Sequence, residues 1–196
     1  MKLKFILFIL LSIIFCSNGK WNLKADGELQ EFQKDSLTVT KLTENVHVYN
    51  DSLYLETDEA YNYKEIGELH LYGNTQMISN SDTLTCDSMI YWLDIDSLIA
   101  YGNVILKQSN RELNSNKLNF WETDGYRGSS FIAIDNVSIV DSIRTITANQ
   151  ISYDDSSQIM LLLDNANIIS KNREIFGDNM NIKFQDSLMT SINVNG

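Results

Sequence analysis

The sequence predicts an all-β chain assembled from stacked two-strand repeats, on three observations. A short pattern recurs five times: Asn, apolar, any, apolar, six residues, apolar, any, small, Asp or Asn, any, apolar, any, usually aromatic. Its first residues are Asn45, Asn74, Asn103, Asn136 and Asn165, spaced by 29, 29, 33 and 29 residues. A fixed period of roughly 20–50 residues marks units that cannot bury their own apolar face and must stack on their neighbours. Within each unit the apolar positions alternate in steps of two, the spacing of strands. No helical period is visible after residue 20, and the chain has no proline, so every ladder donor is available.

Each repeat reads as two strands. The first approaches its Asn through the pairs Leu69/Leu71, Leu98/Ala100, Phe131/Ala133 and Met160/Leu162. It continues through Val46, Thr75, Val104, Val137 and Ala166, then Val48, Met77, Leu106, Ile139 and Ile168. The second strand opens its inward column with Leu55, Leu84, Leu113, Ile146 and Ile175. Small residues follow: Thr57, Cys86, Ser115, Ala148 and Gly177. Then come Ala60, Met89, Leu118, Ile151 and Met180, and two later Asn62, Tyr91, Phe120, Tyr153 and Ile182. The pattern pauses at Lys64–Glu68, Leu93–Ser97, Trp121–Ser130, Asp154–Gln158 and Phe184–Ser187, which are expected to be turns. The third turn holds Gly125, Gly128 and the four residues that lengthen one spacing.

From the small column to the next apolar column the step is three, an odd step that re-aims side chains as a bulge does. Asp58, Asp87, Asn116, Asn149 and Asp178 stand at that break. Asp and Asn bond local backbone and suit bulges and turns. One carboxylate per repeat supplies too few ligands for Ca²⁺, so no metal site is expected there.

Length and charge bound the rest. The 196 residues suit one all-β domain over residues 20–196. Met1–Gly19 reads as a signal segment: Lys2 and Lys4 precede the apolar run Phe5–Phe15, and Ser17-Asn18-Gly19 offers small residues for cleavage. Two alternatives are an uncleaved anchor and a lipoprotein signal ending at Cys16. Removing the segment takes the net charge from −11 to −13, which argues against nucleic acid. Cys86 is then alone, in the small inward column, and reads as a packed thiol.

The catalytic inventory is poor. His47 and His70 both fall on the polar face and have no converging partners. Asp94/Asp96 and Asp154/Asp155 are paired carboxylates, but in turns. Trp92 and Trp121 follow the aromatic column, near strand ends. No cofactor motif is present, and no enzyme is expected. What remains is geometry: hairpins with one apolar face enclose either a dry core or an open trough suited to acyl chains, each buried methylene contributing ~0.8 kcal/mol.

The stretches Ala100-Tyr101-Gly102-Asn103-Val104, Leu84-Thr85-Cys86-Asp87-Ser88-Met89-Ile90-Tyr91 and Thr147-Ala148-Asn149-Gln150-Ile151-Ser152-Tyr153 resemble the repeat of the OstA-like family. That family includes the periplasmic lipopolysaccharide-transport proteins LptA and LptC and the N-terminal domain of LptD. The resemblance covers about Trp21 to Val194, with Leu23-Lys24-Ala25-Asp26 as an opening half-repeat. Asp135 and Asp164 depart from the glycine of its Gly-Asn-Val step, and Thr75 and Ala166 from its valine.

The resemblance implies a partly open β-jellyroll in the periplasm of a Gram-negative bacterium. Such a protein carries lipopolysaccharide, with its lipid A acyl chains in a groove. It joins end to end with copies of itself and with other jellyroll-bearing transport proteins at both membranes. A short leader favours an LptA-like form; lipidation at Cys16 favours an LptC-like one. The expected groove lining is Leu84, Cys86, Met89, Val104, Leu106, Leu113, Ser115, Leu118, Phe120, Ile139, Ile146 and Ala148. Two other readings compete: a self-assembling structural or adhesive β-solenoid with a dry core, and a carbohydrate-active enzyme.

Overall fold

The computed structural model describes residues 21–122, 129–185 and 188–196. The leader Met1–Gly19, Cys16, and Gly125 and Gly128 of the lengthened turn lie outside them. Thirteen strands follow in order: β1 Asn22–Lys24, β2 Leu29–Lys34, β3 Leu37–Tyr49, β4 Leu53–Tyr63, β5 Glu68–Ser79, β6 Asp82–Trp92 and β7 Ser97–Gln108. Then come β8 Arg111–Glu122, β9 Ser129–Val140, β10 Arg144–Asp154, β11 Ile159–Ser170, β12 Arg173–Gln185 and β13 Leu188–Asn195. One 3-10 turn, Lys64–Ile66, interrupts them where the sequence pauses.

All thirteen strands form one antiparallel meander in which β3 through β13 pair in chain order. Strand β1 pairs with the second half of β3 and β2 with its first half, so the two are pieces of one edge strand. A single sheet has nothing to bury its apolar face against except itself. It therefore rolls, and the inward columns of β3 to β12 form one continuous core from Leu42 to Phe184. Leu55, Leu71, Ala100, Leu118, Phe131 and Ile182 are fully buried there. Each such Leu, Ile or Phe contributes about 1.5–3 kcal/mol of transfer free energy. Trp21, just before β1, packs edge-on against Tyr91 of β6, with ring centroids 5.9 Å apart. The fold is an all-β, partly open roll of two-strand repeats, as expected.

The predicted break in alternation is a real shift of register, but the extra residue belongs to the neighbouring strand. Between Tyr101↔Lys117 and Val104↔Ser115, Gly102 and Asn103 together face Asn116 alone. The same two-against-one step recurs at Glu44-Asn45, Gly73-Asn74 and Asp164-Asn165. Both residues of each pair, Asp135-Asn136 included, have positive φ, between 43° and 77°. Left-handed backbone favours Gly, Asn and Asp, which explains the invariant Asn column within this chain. The Asn amide then reaches back to the preceding strand: Asn74 Nδ2 donates to Asp58 at 2.8 Å and Asn103 Nδ2 to Asp87 at 3.0 Å. Asn45 Nδ2 donates to Asp26 at 3.0 Å, so the opening half-repeat is a true repeat position.

In four of the five pairs the first residue follows the charge of its partner on the preceding strand; Glu44, beside Asp26, is the exception. Gly73 and Gly102 lie against Asp58 and Asp87, where a Cβ would clash with a carboxylate oxygen. Where the column holds Asn116 and Asn149, the bulge instead carries Asp135 and Asp164. Toward the preceding strand each of these four bulges thus meets one carboxylate, and two would repel. Asn116→Asp should therefore cost roughly 0.5–1 kcal/mol, and adding Asp135→Gly should recover it. Urea denaturation of the two single variants and the double variant measures the coupling. A coupling of zero would mean that the charge pattern has no energetic basis.

Candidate functional site

All twelve expected lining residues project from β6 to β10 into the same interior. Leu84, Met89, Val104, Leu106, Leu118 and Phe120 are at most 2% exposed. They pack on one another in the middle of the roll. Cys86, Ser115 and Ala148 are 5–6% exposed, and the small column lets the sheets close rather than lining open space. Burial, with the neighbouring Asp87, pushes the Cys86 thiol up to about 12, so it is an inert packing group. Ser115 sits beside a polar recess of about 200 Å³ between Asn103, Asn116 and Asn136 at the bulges.

Space opens toward the C-terminal end. Leu106, Leu113, Ile139 and Ile146 border a narrow cavity of about 30 Å³ that also touches Arg111, Asp141 and Arg144. Beyond it lies an open trough of about 300 Å³. Ile168, Ser170, Arg173 and Ile175 line it from β11 and β12, Met189 to Ile192 from β13, and Arg144 stands where trough and cavity meet. Strand β13 pairs only with Asn179–Gln185, so the first half of β12 has a neighbour on one side alone and its inward face stays uncovered. Ile175 is half-buried in consequence. The sequence columns contain Ile168 and Ile175 but do not distinguish them from sealed positions, because openness depends on where β13 ends.

The rim beside the trough carries charge. Asp141 Oδ1 accepts the backbone N–H groups of Ile143 and Arg144, both at 2.8 Å, and closes the β9–β10 turn. Its Oδ2 accepts from Arg144 Nη2 at 3.0 Å, a pair whose side chains are only 3% and 10% exposed. Burial pulls the Arg144 and Arg111 guanidiniums down from their ordinary values, while Asp141 acts in the opposite direction on both.

The remaining candidates serve structure. His47 Nδ1 meets the Tyr54 hydroxyl at 2.6 Å and His70 Nε2 meets Glu68 at 2.9 Å, both on the outer face. Asp96 accepts from Tyr91 at 2.7 Å, and Asp154 caps Ser156 and Ser157 in its turn. Trp92 ends β6 and donates to Glu68 at 2.9 Å. Among the described residues no three His, Cys, Asp or Glu side chains gather as metal ligands.

Residues 94–187 match the family model described as LptA/(LptD N-terminal domain) LPS transport protein. An uncharacterized protein of Rickettsia prowazekii (strain Madrid E) is 29% identical over 134 residues, 61% of this chain and 89% of that protein. Among solved structures, the chain is similar to LptH of Pseudomonas aeruginosa, described as the LptA-homologous periplasmic component of the conserved lipopolysaccharide transport device. That likeness is 12% in identity with a TM-score of 0.24, covering 89% of this chain and 81% of the other.

The division into sealed core and open trough is measurable. Leu118→Ala should destabilise by about 2–5 kcal/mol, because the packed interior leaves a cavity, whereas Ile175→Ala should cost about 1 kcal/mol or less. Equal losses in chemical denaturation would mean that the trough is packed in solution.

Proposed function

We propose that this chain, whose residues 94–187 match the family model of LptA and the LptD N-terminal domain, carries lipopolysaccharide across the periplasm as one module of a bridge between membranes. The observation that carries this reading is the trough between β11–β12 and β13, open and with a mainly apolar surface supplied by Ile168, Ile175, Met189 and Ile192. An acyl chain gains about 0.8 kcal/mol per buried methylene there. No step of bond making is involved; the protein shields the apolar part of an amphiphile from water. In the leader, the expected cleavage or lipidation at Cys16 would place the roll in the periplasm, free or anchored.

The two ends of the sheet support the bridging part of the proposal. Strands β1 and β2 form one edge and β13 the other, and each offers unpaired backbone to a further strand. Leu29 and Phe32 at the first edge and Leu188 and Val194 at the last are exposed apolar residues. Another jellyroll, of this chain or of a membrane-bound transport component, would continue the sheet and lengthen the trough.

Protein purified without detergent and extracted with organic solvent should yield acylated, phosphorylated glycolipid by mass spectrometry. A lipid-free extract from a lipopolysaccharide-bearing host would favour the dry structural solenoid. Val194→Lys, at an exposed position on the last strand, should weaken concentration-dependent self-association in sedimentation without loss of fold. Unchanged association would remove the β13 edge from the bridge.

A further inference from the structure

We propose that Arg111, Arg144 and Arg173 form an anion-binding rim that holds the phosphate of a lipid whose acyl chain occupies the adjoining trough. The inference rests on the lipid-carrying reading and extends it from the chain to the headgroup.

The rim is written into the repeat. The residue eight positions after each Asn opens the second strand and is Leu53, Asp82, Arg111, Arg144 or Arg173. It stands two residues before the inward column, so it projects to the inner face at the end of the roll. Only the last three repeats carry arginine at this position: Arg111 borders the narrow cavity, Arg173 the trough and Arg144 both. These are three of the four arginines in the chain, while the other eleven basic residues are lysines. Arg111 and Arg144 open strands two apart in the sheet, with β9 between them, and so do Arg144 and Arg173, with β11 between them. Neighbouring strands lie about 4.8 Å apart, so successive guanidiniums start roughly 10 Å from one another.

One carboxylate, Asp141, compensates the three guanidiniums only in part. Asp141 is occupied by Arg144 and by two backbone N–H groups. Among the described residues neither Arg111 nor Arg173 makes a salt bridge. The nearby Glu112 pairs with Lys107, and Glu174 accepts from Asn167. A surplus of positive charge in a chain of net charge −11 therefore sits at the mouth of an open trough with a mainly apolar surface. Guanidinium offers planar, bidentate recognition of phosphate that an ammonium group does not. Apolar trough and cationic rim together fit an anionic amphiphile, with the chain in the trough and the phosphate at its mouth.

Free phosphate shares the headgroup chemistry, so the test separates the two. Isothermal titration calorimetry of the full chain would compare oleoyl lysophosphatidic acid, monooleoylglycerol and inorganic phosphate, each lipid below its micellar concentration. The charged lipid should bind at least about tenfold more tightly than the neutral one, and inorganic phosphate should not displace it. Arg111→Gln and Arg173→Gln, at positions less buried than Arg144, should each cut that preference about threefold and together abolish it. Binding of monooleoylglycerol and the unfolding midpoint should stay unchanged. Equal affinity for the two lipids, or a preference that survives both substitutions, would overturn the rim while leaving the carrier reading intact. Displacement by inorganic phosphate would overturn it in favour of a plain anion site. Failure to bind either lipid would overturn both readings.

Discussion

The structure depends on one two-residue step, the paired left-handed residues that each first strand inserts opposite a single residue of its neighbour. A sheet one layer thick can bury its apolar face only by curling, and a bulge is the local device that bends a strand and increases its twist. Here the device is repeated in register, at Glu44-Asn45, Gly73-Asn74, Gly102-Asn103, Asp135-Asn136 and Asp164-Asn165, so the bends line up across the sheet. It also corrects side-chain direction. Without it, Leu118 could not share a face with Leu113, five residues earlier on the same strand, and half of each inward column would turn to water.

That requirement explains the composition of the bulges. Positive φ in a side-chain-bearing residue costs about 1 kcal/mol or more unless the side chain compensates locally. Asn compensates through its amide, as Asn74 and Asn103 do toward Asp58 and Asp87. The carboxylate of each pair can stand on either strand, and the sequence uses both arrangements. Asp58 and Asp87 lean over a glycine, while Asp135 and Asp164 stand opposite an asparagine column. Departures from the Gly-Asn-Val step are thus exchanges within a two-strand unit rather than losses of the motif.

The alternating columns were legible in the sequence because burial on one face leaves a period-two record, and Val104, Leu106, Leu113, Leu118 and Phe120 are all inside as expected. Asn114 and Asn119 stand on the opposite face but are half-buried, since long neighbouring side chains cover much of that surface. Less legible was which strand carries the extra residue. Asp87 and Gly102 are 15 positions apart, and only the register of β6 against β7 brings them together. The trough was hidden for the same kind of reason. Ile175 occupies the column of Leu113 and Ile146, yet one is open and the others packed, because β13 covers only the second half of β12.

The two ends of the roll differ in what closes them. Near the first repeat the rim position is Leu53, 2% exposed, and the next is Asp82, which accepts from Gln108 at 2.7 Å. Apolar contact and a neutral donor seal that side. From β8 onward the same position carries guanidinium. A buried cation is tolerated only with a partner, which Asp141 supplies to Arg144. Arg173, at the open end, is exposed to water and needs no such partner. Charge at the rim therefore tracks how far the roll has opened. A closed roll would have to bury three guanidiniums against one carboxylate, so the cationic half of the rim is compatible with this fold only where the trough stays open.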